Sequence, residues 1–151
     1  MDERIKKLAN QLVRYSCRVQ PGERVYVHYT GADTTDLARQ TVKEVYRAGG
    51  QPFIHFTDTR LQREMLLGCG EEQLKLMAQI DSAEMSQMDC YIGIRGGDNI
   101  NELADVPPEK LSLYSALYTT PVHHEIRVPK TKWVVLRYPS PSMAQSAGMS
   151  L

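Results

Sequence analysis

The chain has 151 residues, of which 42% are hydrophobic and 24% are charged, and its eighteen basic residues balance its eighteen acidic ones. This length suits one domain, and the composition excludes a disordered or fibrous chain. The neutral balance argues against nucleic acid or an anionic membrane as the main partner, because both bind clustered lysine and arginine.

The N-terminal sequence MDERIKK is charged and lacks the apolar core of a signal peptide. The apolar runs are only a few residues long, whereas about 20 residues are needed to cross a bilayer. Three widely spaced cysteines are typical of reduced thiols rather than of a disulfide framework. These features predict a cytoplasmic protein that does not span a membrane.

The first half of the chain alternates between helical and strand patterns. Apolar residues at helical spacing predict an amphipathic helix over residues 2–17. A Pro-Gly break follows, and the β-branched and aromatic run 23–29 predicts the first strand. A second helix runs from a threonine cap to the glycine pair at 49–50, and residues 53–56 form the second predicted strand.

The second half continues the alternation. A short helix over 59–67 precedes a long, methionine-rich helix over 71–88. The apolar run 90–94 predicts a third strand, a proline pair starts a helix over 107–117, and the run 133–138 predicts a fourth strand.

Strands that alternate with helices of ten or more residues indicate an α/β fold. We expect one domain with a mainly parallel sheet and helices on both faces, in the doubly wound, flavodoxin-like style. The tail over residues 144–151 is small and polar, so we expect it to lead into a further segment of chain.

In such sheets, ligands bind beyond the carboxyl ends of the strands. The glycine-rich segment 93–99 could approach an anion there, but it lacks the G-x-G-x-x-G order of a dinucleotide site. A strand-ending turn explains this segment as well. A stand-alone flavodoxin-like module that binds a small anion or nucleotide at residues 95–99 therefore stays open as an alternative function.

Histidine and carboxylate side chains are common metal ligands, so their spacing indicates whether a metal site is expected. His123, His124 and Glu125 are adjacent in sequence, and adjacent side chains diverge on both helices and strands, so this group is a poor ligand set. His28 and His55 lie inside strand patterns, where packing or hydrogen bonding is the expected role. The chain also lacks the signatures of a serine or cysteine nucleophile.

Three stretches carry a family resemblance: VQPGERV at 19–25, VKEVYRAGG at 42–50, and YPSPSMAQSAGMS at 138–150 after the tryptophan strand. Together they resemble the N-terminal portion of the aminopeptidase T, AmpS and PepS family of metal-dependent aminopeptidases. The resemblance runs along essentially the whole chain, and the third stretch is the most distinctive.

The resemblance implies cytoplasmic exopeptidases that remove N-terminal amino acids from peptides. Two divalent ions, cobalt or zinc, would be held by a C-terminal domain, and residues 1–151 would be the N-terminal α/β domain of this longer two-domain protein, without metal ligands of its own. That domain would form one wall of a cleft, often within a homodimer, and would be inactive alone. The resemblance makes four residues at predicted strand ends candidates for cleft-facing groups: Arg60, Arg95, Asp98 and Asn99.

Overall fold

A computed structural model describes residues 2–97 and 101–139. Its centre is a parallel sheet with the strand order β2-β1-β3-β4. The strands are β1 (Arg24–Thr30), β2 (Gln51–Thr57), β3 (Cys90–Arg95) and β4 (Lys132–Arg137). All four predicted strands are therefore present, with ends within two residues of the predicted ones.

Helices connect the strands. In the first half, α1 (Glu3–Asn10) continues as a π-helical segment (Gln11–Ser16), and a 3₁₀ turn (Ala32–Thr34) precedes α2 (Thr35–Arg47). Two helices, α3 (Thr59–Gly68) and α4 (Glu71–Met85), lie between β2 and β3. Before β4, α5 (Pro108–Tyr114) continues as a π-helix (Ser115–Arg127) and ends in α6 (Val128–Lys130). Within the described residues, every helix is too short or too polar to cross a membrane.

The strand order places helices on both faces of the sheet. The chain moves from β1 to β2 in one direction, and then from β2 to β3 and on to β4 in the other. Crossovers between parallel strands are right-handed in nearly all proteins, so this reversal predicts α2 on one face and α4 and the π-helix on the other. The two core clusters divide the helices in this way. The doubly wound, flavodoxin-like arrangement predicted from the sequence is confirmed.

The face that α1 and α2 cover, called the first face, is apolar. Val25 and Val27 of β1 and Ile92 of β3 are fully buried there, and Leu37 of α2 packs against them. The opposite face, called the second face, carries Tyr26 and Tyr91 beneath α4 and the π-helix. Because side chains alternate along a strand, the two faces of one strand can differ this much.

Two helix boundaries differ from the sequence prediction. The helix predicted to end near Leu117 continues to Lys130, and the predicted 71–88 helix ends at Met85. The extension passes through Pro121, which lacks an N–H group and crowds the preceding turn of an α-helix. The wider π-helical winding accommodates this proline, so the helix continues past it.

Candidate functional site

Polar side chains gather on the second face where the strands end. His28 of β1 lies opposite His55 of β2, and Thr30 lies opposite Arg95 of β3. Arg95 in turn lies opposite Arg137 of β4. Parallel strands bring their carboxyl ends to one edge of the sheet, which is where ligands bind in folds of this kind.

A cavity of about 360 Å³ opens between these strand ends and the helices of the second face. This volume is within the range of small-molecule sites. We call it the sheet cleft, and its walls include Tyr26, His28, His55, Asp81, Arg95, Tyr114, Tyr118, His123 and Arg137.

His28 joins the strands at the floor of the sheet cleft. Its Nδ1 lies 2.9 Å from the Tyr91 hydroxyl and 3.3 Å from Nη1 of Arg95, and its Nε2 lies 2.7 Å from Oγ1 of Thr57. Because a guanidinium can only donate, Nδ1 must accept and the ring proton must sit on Nε2. Burial, with the nearby Arg95 charge, lowers the pKa of His28 to about 3, so the ring is neutral at pH 7.

The Tyr91 hydroxyl completes this network. It accepts from Nη2 of Arg95 at 3.2 Å and can donate to His28. Two neutral groups therefore hold the Arg95 guanidinium in place. No carboxylate in residues 2–97 and 101–139 makes an ion pair with Arg95.

Aromatic rings form much of the wall. Tyr26 stacks on His55 with ring centroids 4.1 Å apart and on Tyr91 at 5.2 Å. Tyr114 and Tyr118 stack at 4.9 Å on the helical side. Burial raises the pKa of Tyr114 to about 12 and also raises the pKa of Tyr26, so both phenols stay neutral and can donate hydrogen bonds.

Two acidic residues of α4 lie on the helical side. Oδ2 of Asp81 accepts a short hydrogen bond from the Tyr118 hydroxyl. Both carboxylate oxygens of Glu84 lie 2.9 Å from Nε2 of His55. The sheet cleft therefore has arginine at the strand ends and the Asp81 carboxylate on the helical side, while Glu84 is paired with the lining residue His55.

The π-helix contributes His123 and Arg127. Arg127 donates from Nε to Nδ1 of His123 at 2.7 Å, and its guanidinium lies over the rings of Tyr91 and Trp133 at 4.8 and 5.0 Å. Burial, with the Arg127 charge, lowers the pKa of His123 to about 4. Arg127 thus occupies one ring nitrogen of His123.

The described residues do not fit a metal site. Within them, no three His, Cys, Asp or Glu side chains lie close enough together to hold an ion. Nδ1 of His123 is occupied by Arg127, while the neighbouring His124 is exposed. His55 and Glu84 offer only two ligands, fewer than a protein site for zinc requires.

The structure separates the four predicted cleft residues. Arg95 lies in the sheet cleft. Arg60 is paired with Asp58, with Nη2 at 2.8 Å from Oδ2, and its largely exposed side chain borders a different, smaller pocket. Asp98 and Asn99 lie outside the described residues, as does the 140–150 part of the third resemblance stretch. A cleft-facing role for all four stays a prediction.

The glycine-rich segment makes a close crossing of two loops. Gly97 donates its backbone N–H to Oδ1 of Asp33 at 2.9 Å. A Cβ on Gly31 would lie 2.5 Å from the Gly97 nitrogen, and both glycines have positive φ angles. The Gly97 N–H that could have faced an anion is thus occupied by a carboxylate, which favours a structural turn.

Sequence reasoning missed most of the sheet cleft. Tyr26, His28 and Thr30 alternate along the first strand pattern, and this alternation was the available signal for a polar face. Asp81 and Tyr118 had no such signal, because their contact joins residues 37 positions apart in two different helices.

The sequence model of the thermophilic metalloprotease (M29) family matches residues 1–151. The chain therefore belongs to this family of metalloproteases. A comparison with curated proteins gave no match.

Among solved structures, the chain resembles wild-type AmpT from Thermus thermophilus at 20% identity and a TM-score of 0.72, over 95% of this chain and 38% of that one. It spans well under half of the AmpT chain. CurK enoyl reductase matches at 12% identity and a TM-score of 0.39, over 94% of this chain and 44% of that one. A putative LacI-family repressor from Corynebacterium glutamicum matches at 15% identity and a TM-score of 0.36, over 88% of this chain and 59% of that one. The last two scores are too low to indicate a shared fold.

Proposed function

We propose that this chain is the N-terminal domain of a metal-dependent aminopeptidase, in which it serves as scaffold and as one wall of the substrate cleft. The family match over residues 1–151 carries this proposal. In the complete enzyme, a C-terminal domain would hold two divalent ions, cobalt or zinc. The enzyme would be a cytoplasmic homodimer that removes N-terminal amino acids from peptides.

The chain covers 38% of the AmpT chain, so an enzyme of that length would include a large further segment. When bound, the ions would polarise the scissile carbonyl and activate water. The residues of the sheet cleft would bind and orient the peptide.

The sheet cleft is the surface of this domain best suited to face a substrate. It lies at the carboxyl ends of the strands, and its tyrosine rings and arginine side chains can contact both apolar and charged parts of a peptide. The alternative of an anion or nucleotide module at residues 95–99 is less well supported, because Asp33 already accepts the Gly97 N–H.

Release of leucine from leucyl 4-nitroanilide tests the proposal. The 151-residue chain and the complete reading frame are assayed side by side with added Co²⁺ or Zn²⁺. We expect metal-dependent hydrolysis by the complete frame and none by the chain alone. Hydrolysis by the chain alone, or a complete frame that lacks metal-dependent activity, would contradict it.

A further inference from the structure

The Arg95 guanidinium has hydrogen-bond donors that have no acceptor among residues 2–97 and 101–139. Its guanidinium has five N–H donors, and the contacts with His28 and Tyr91 occupy one on each Nη. The remaining donors lie on the wall of an open cavity, and no described carboxylate pairs with them. By comparison, Arg60 and Arg63 each pair with a carboxylate. The planar guanidinium matches a carboxylate, which it can bind through two parallel hydrogen bonds.

Arg137 adds a second positive charge beside Arg95. The two residues are register partners on β3 and β4, and both line the sheet cleft. Arg137 is exposed, so its contribution to binding should be smaller than that of Arg95.

The helical side of the cavity carries negative charge. Asp81 uses Oδ2 for the Tyr118 hydroxyl, and its Oδ1 has no donor within the described residues. The Tyr114 ring lines the same cavity as Asp81 and Arg95. Opposite charges and an aromatic ring therefore share the wall of one cavity.

We propose that the sheet cleft binds a zwitterion of the amino acid and short-peptide class, with the α-carboxylate on Arg95 and the ammonium group towards Asp81. Only the choice of a peptide over a free amino acid as its source rests on the proposed function.

The dimensions favour a peptide of two or three residues. On β1, Tyr26 near the acidic wall and Thr30 beside Arg95 are four residues apart, which is about 13 Å along a strand. An extended peptide spans about 3.5 Å per residue. The Arg95 and Asp81 side chains line the cavity and shorten the distance to be spanned, so two or three residues are long enough, whereas a single amino acid is short. The stacked tyrosines would contact the side chains of the bound peptide.

The charge pattern also distinguishes this ligand from a nucleotide or a phosphate. A polyanion would meet Arg95 and Arg137 favourably but would be repelled by Asp81 on the wall of the same cavity. A zwitterion places each of its charges near an opposite one.

Isothermal titration of the 151-residue chain with Leu-Gly tests the inference. The same titration with Leu-Gly amide removes the carboxylate, and with N-acetyl-Leu-Gly it removes the ammonium group. We expect Leu-Gly to bind and each blocked form to bind at least about tenfold more weakly, the effect of losing one modest charged contact. A titration with free leucine distinguishes the two ligand classes. If leucine binds as tightly as Leu-Gly, the cleft is assigned to amino acids, and if leucine binds more weakly, it is assigned to peptides.

Variants locate the site. Arg95→Gln should weaken Leu-Gly binding at least about tenfold. Asp81→Asn should weaken binding less than Arg95→Gln does, because Asn keeps the hydrogen bond to Tyr118. Arg137→Gln should weaken binding about threefold. Arg39→Gln is the matched control, since Arg39 is an exposed arginine of α2 on the first face. If circular dichroism shows that Arg95→Gln is unfolded, the exposed Arg137→Gln variant and the blocked peptides decide.

Three outcomes would overturn the inference: Leu-Gly does not bind, its amide binds equally well, or phosphate and adenosine monophosphate bind while Leu-Gly does not. These titrations need neither metal nor catalysis. A chain that does not bind Leu-Gly beside an active complete frame rejects this inference alone. A chain that binds Leu-Gly beside an inactive complete frame rejects the proposed function alone.

Discussion

The buried His28 ring should make the protein sensitive to mild acid. Burial, with the charge of Arg95, lowers its pKa from 6.5 to about 3. Between these two values the unfolded chain binds a proton that the folded chain does not bind. The stabilising contribution is therefore present above pH 6.5 and is lost as the pH falls towards 3.

The size of the effect follows from the shift. One pH unit corresponds to about 1.36 kcal/mol, and pH 5 is about 1.5 units below the unfolded value, so His28 should reduce the free energy of unfolding by about 2 kcal/mol at pH 5. The pKa of His123 is lowered to about 4 by burial first and by the Arg127 charge second, so this ring is also neutral in the folded chain at pH 5 and should add a loss of similar size. Domains are typically stable by about 5–15 kcal/mol, so this loss is measurable.

Urea unfolding at pH 7, 6 and 5 measures the loss, with circular dichroism and the fluorescence of Trp133, the chain's only tryptophan, as probes. His28→Gln keeps an acceptor for Arg95 but cannot titrate, so the decrease between pH 7 and 5 should be about 2 kcal/mol smaller than in the wild type. His124→Gln, at an exposed position, is the control and should keep the wild-type decrease. Equal pH dependence in His28→Gln and the wild type would refute this account of His28.

Three further predictions concern packing. Gly31→Ala should be more destabilising than Gly22→Ala, because the two φ angles are nearly equal (88° and 85°) but only the Cβ at position 31 would lie 2.5 Å from a backbone nitrogen; equal urea midpoints would contradict the close loop crossing. Leu37→Ala, at a fully buried position, should cost about 2–5 kcal/mol, whereas Leu76→Ala, at a 55% exposed position, should cost less than about 1 kcal/mol in the same assay. All three cysteines are buried, so a thiol reagent should react with them only after unfolding, and rapid labelling of the native protein would show otherwise.

The π-helix shows how a local signal can misplace the end of an element. The pattern after Pro108 predicts a helix that ends near Leu117, yet the winding continues to Lys130. This extension brings His123 into edge contact with the Tyr91 ring and Arg127 over the rings of Tyr91 and Trp133. Contacts with the sheet, which are absent from a local sequence pattern, therefore stabilise a segment that propensity alone would end earlier.

The sequence by itself determined the alternation of strands and helices, the parallel class of the sheet and Arg95 as a strand-end candidate. These properties follow from periodicity and turn chemistry, which act over a few residues. Only the tertiary structure decided that Arg95 is held by His28 and Tyr91 and lines the same cavity as Asp81, because that depends on strand order and register. His28 and Tyr91 are 63 positions apart and meet because β1 and β3 are neighbours in the sheet.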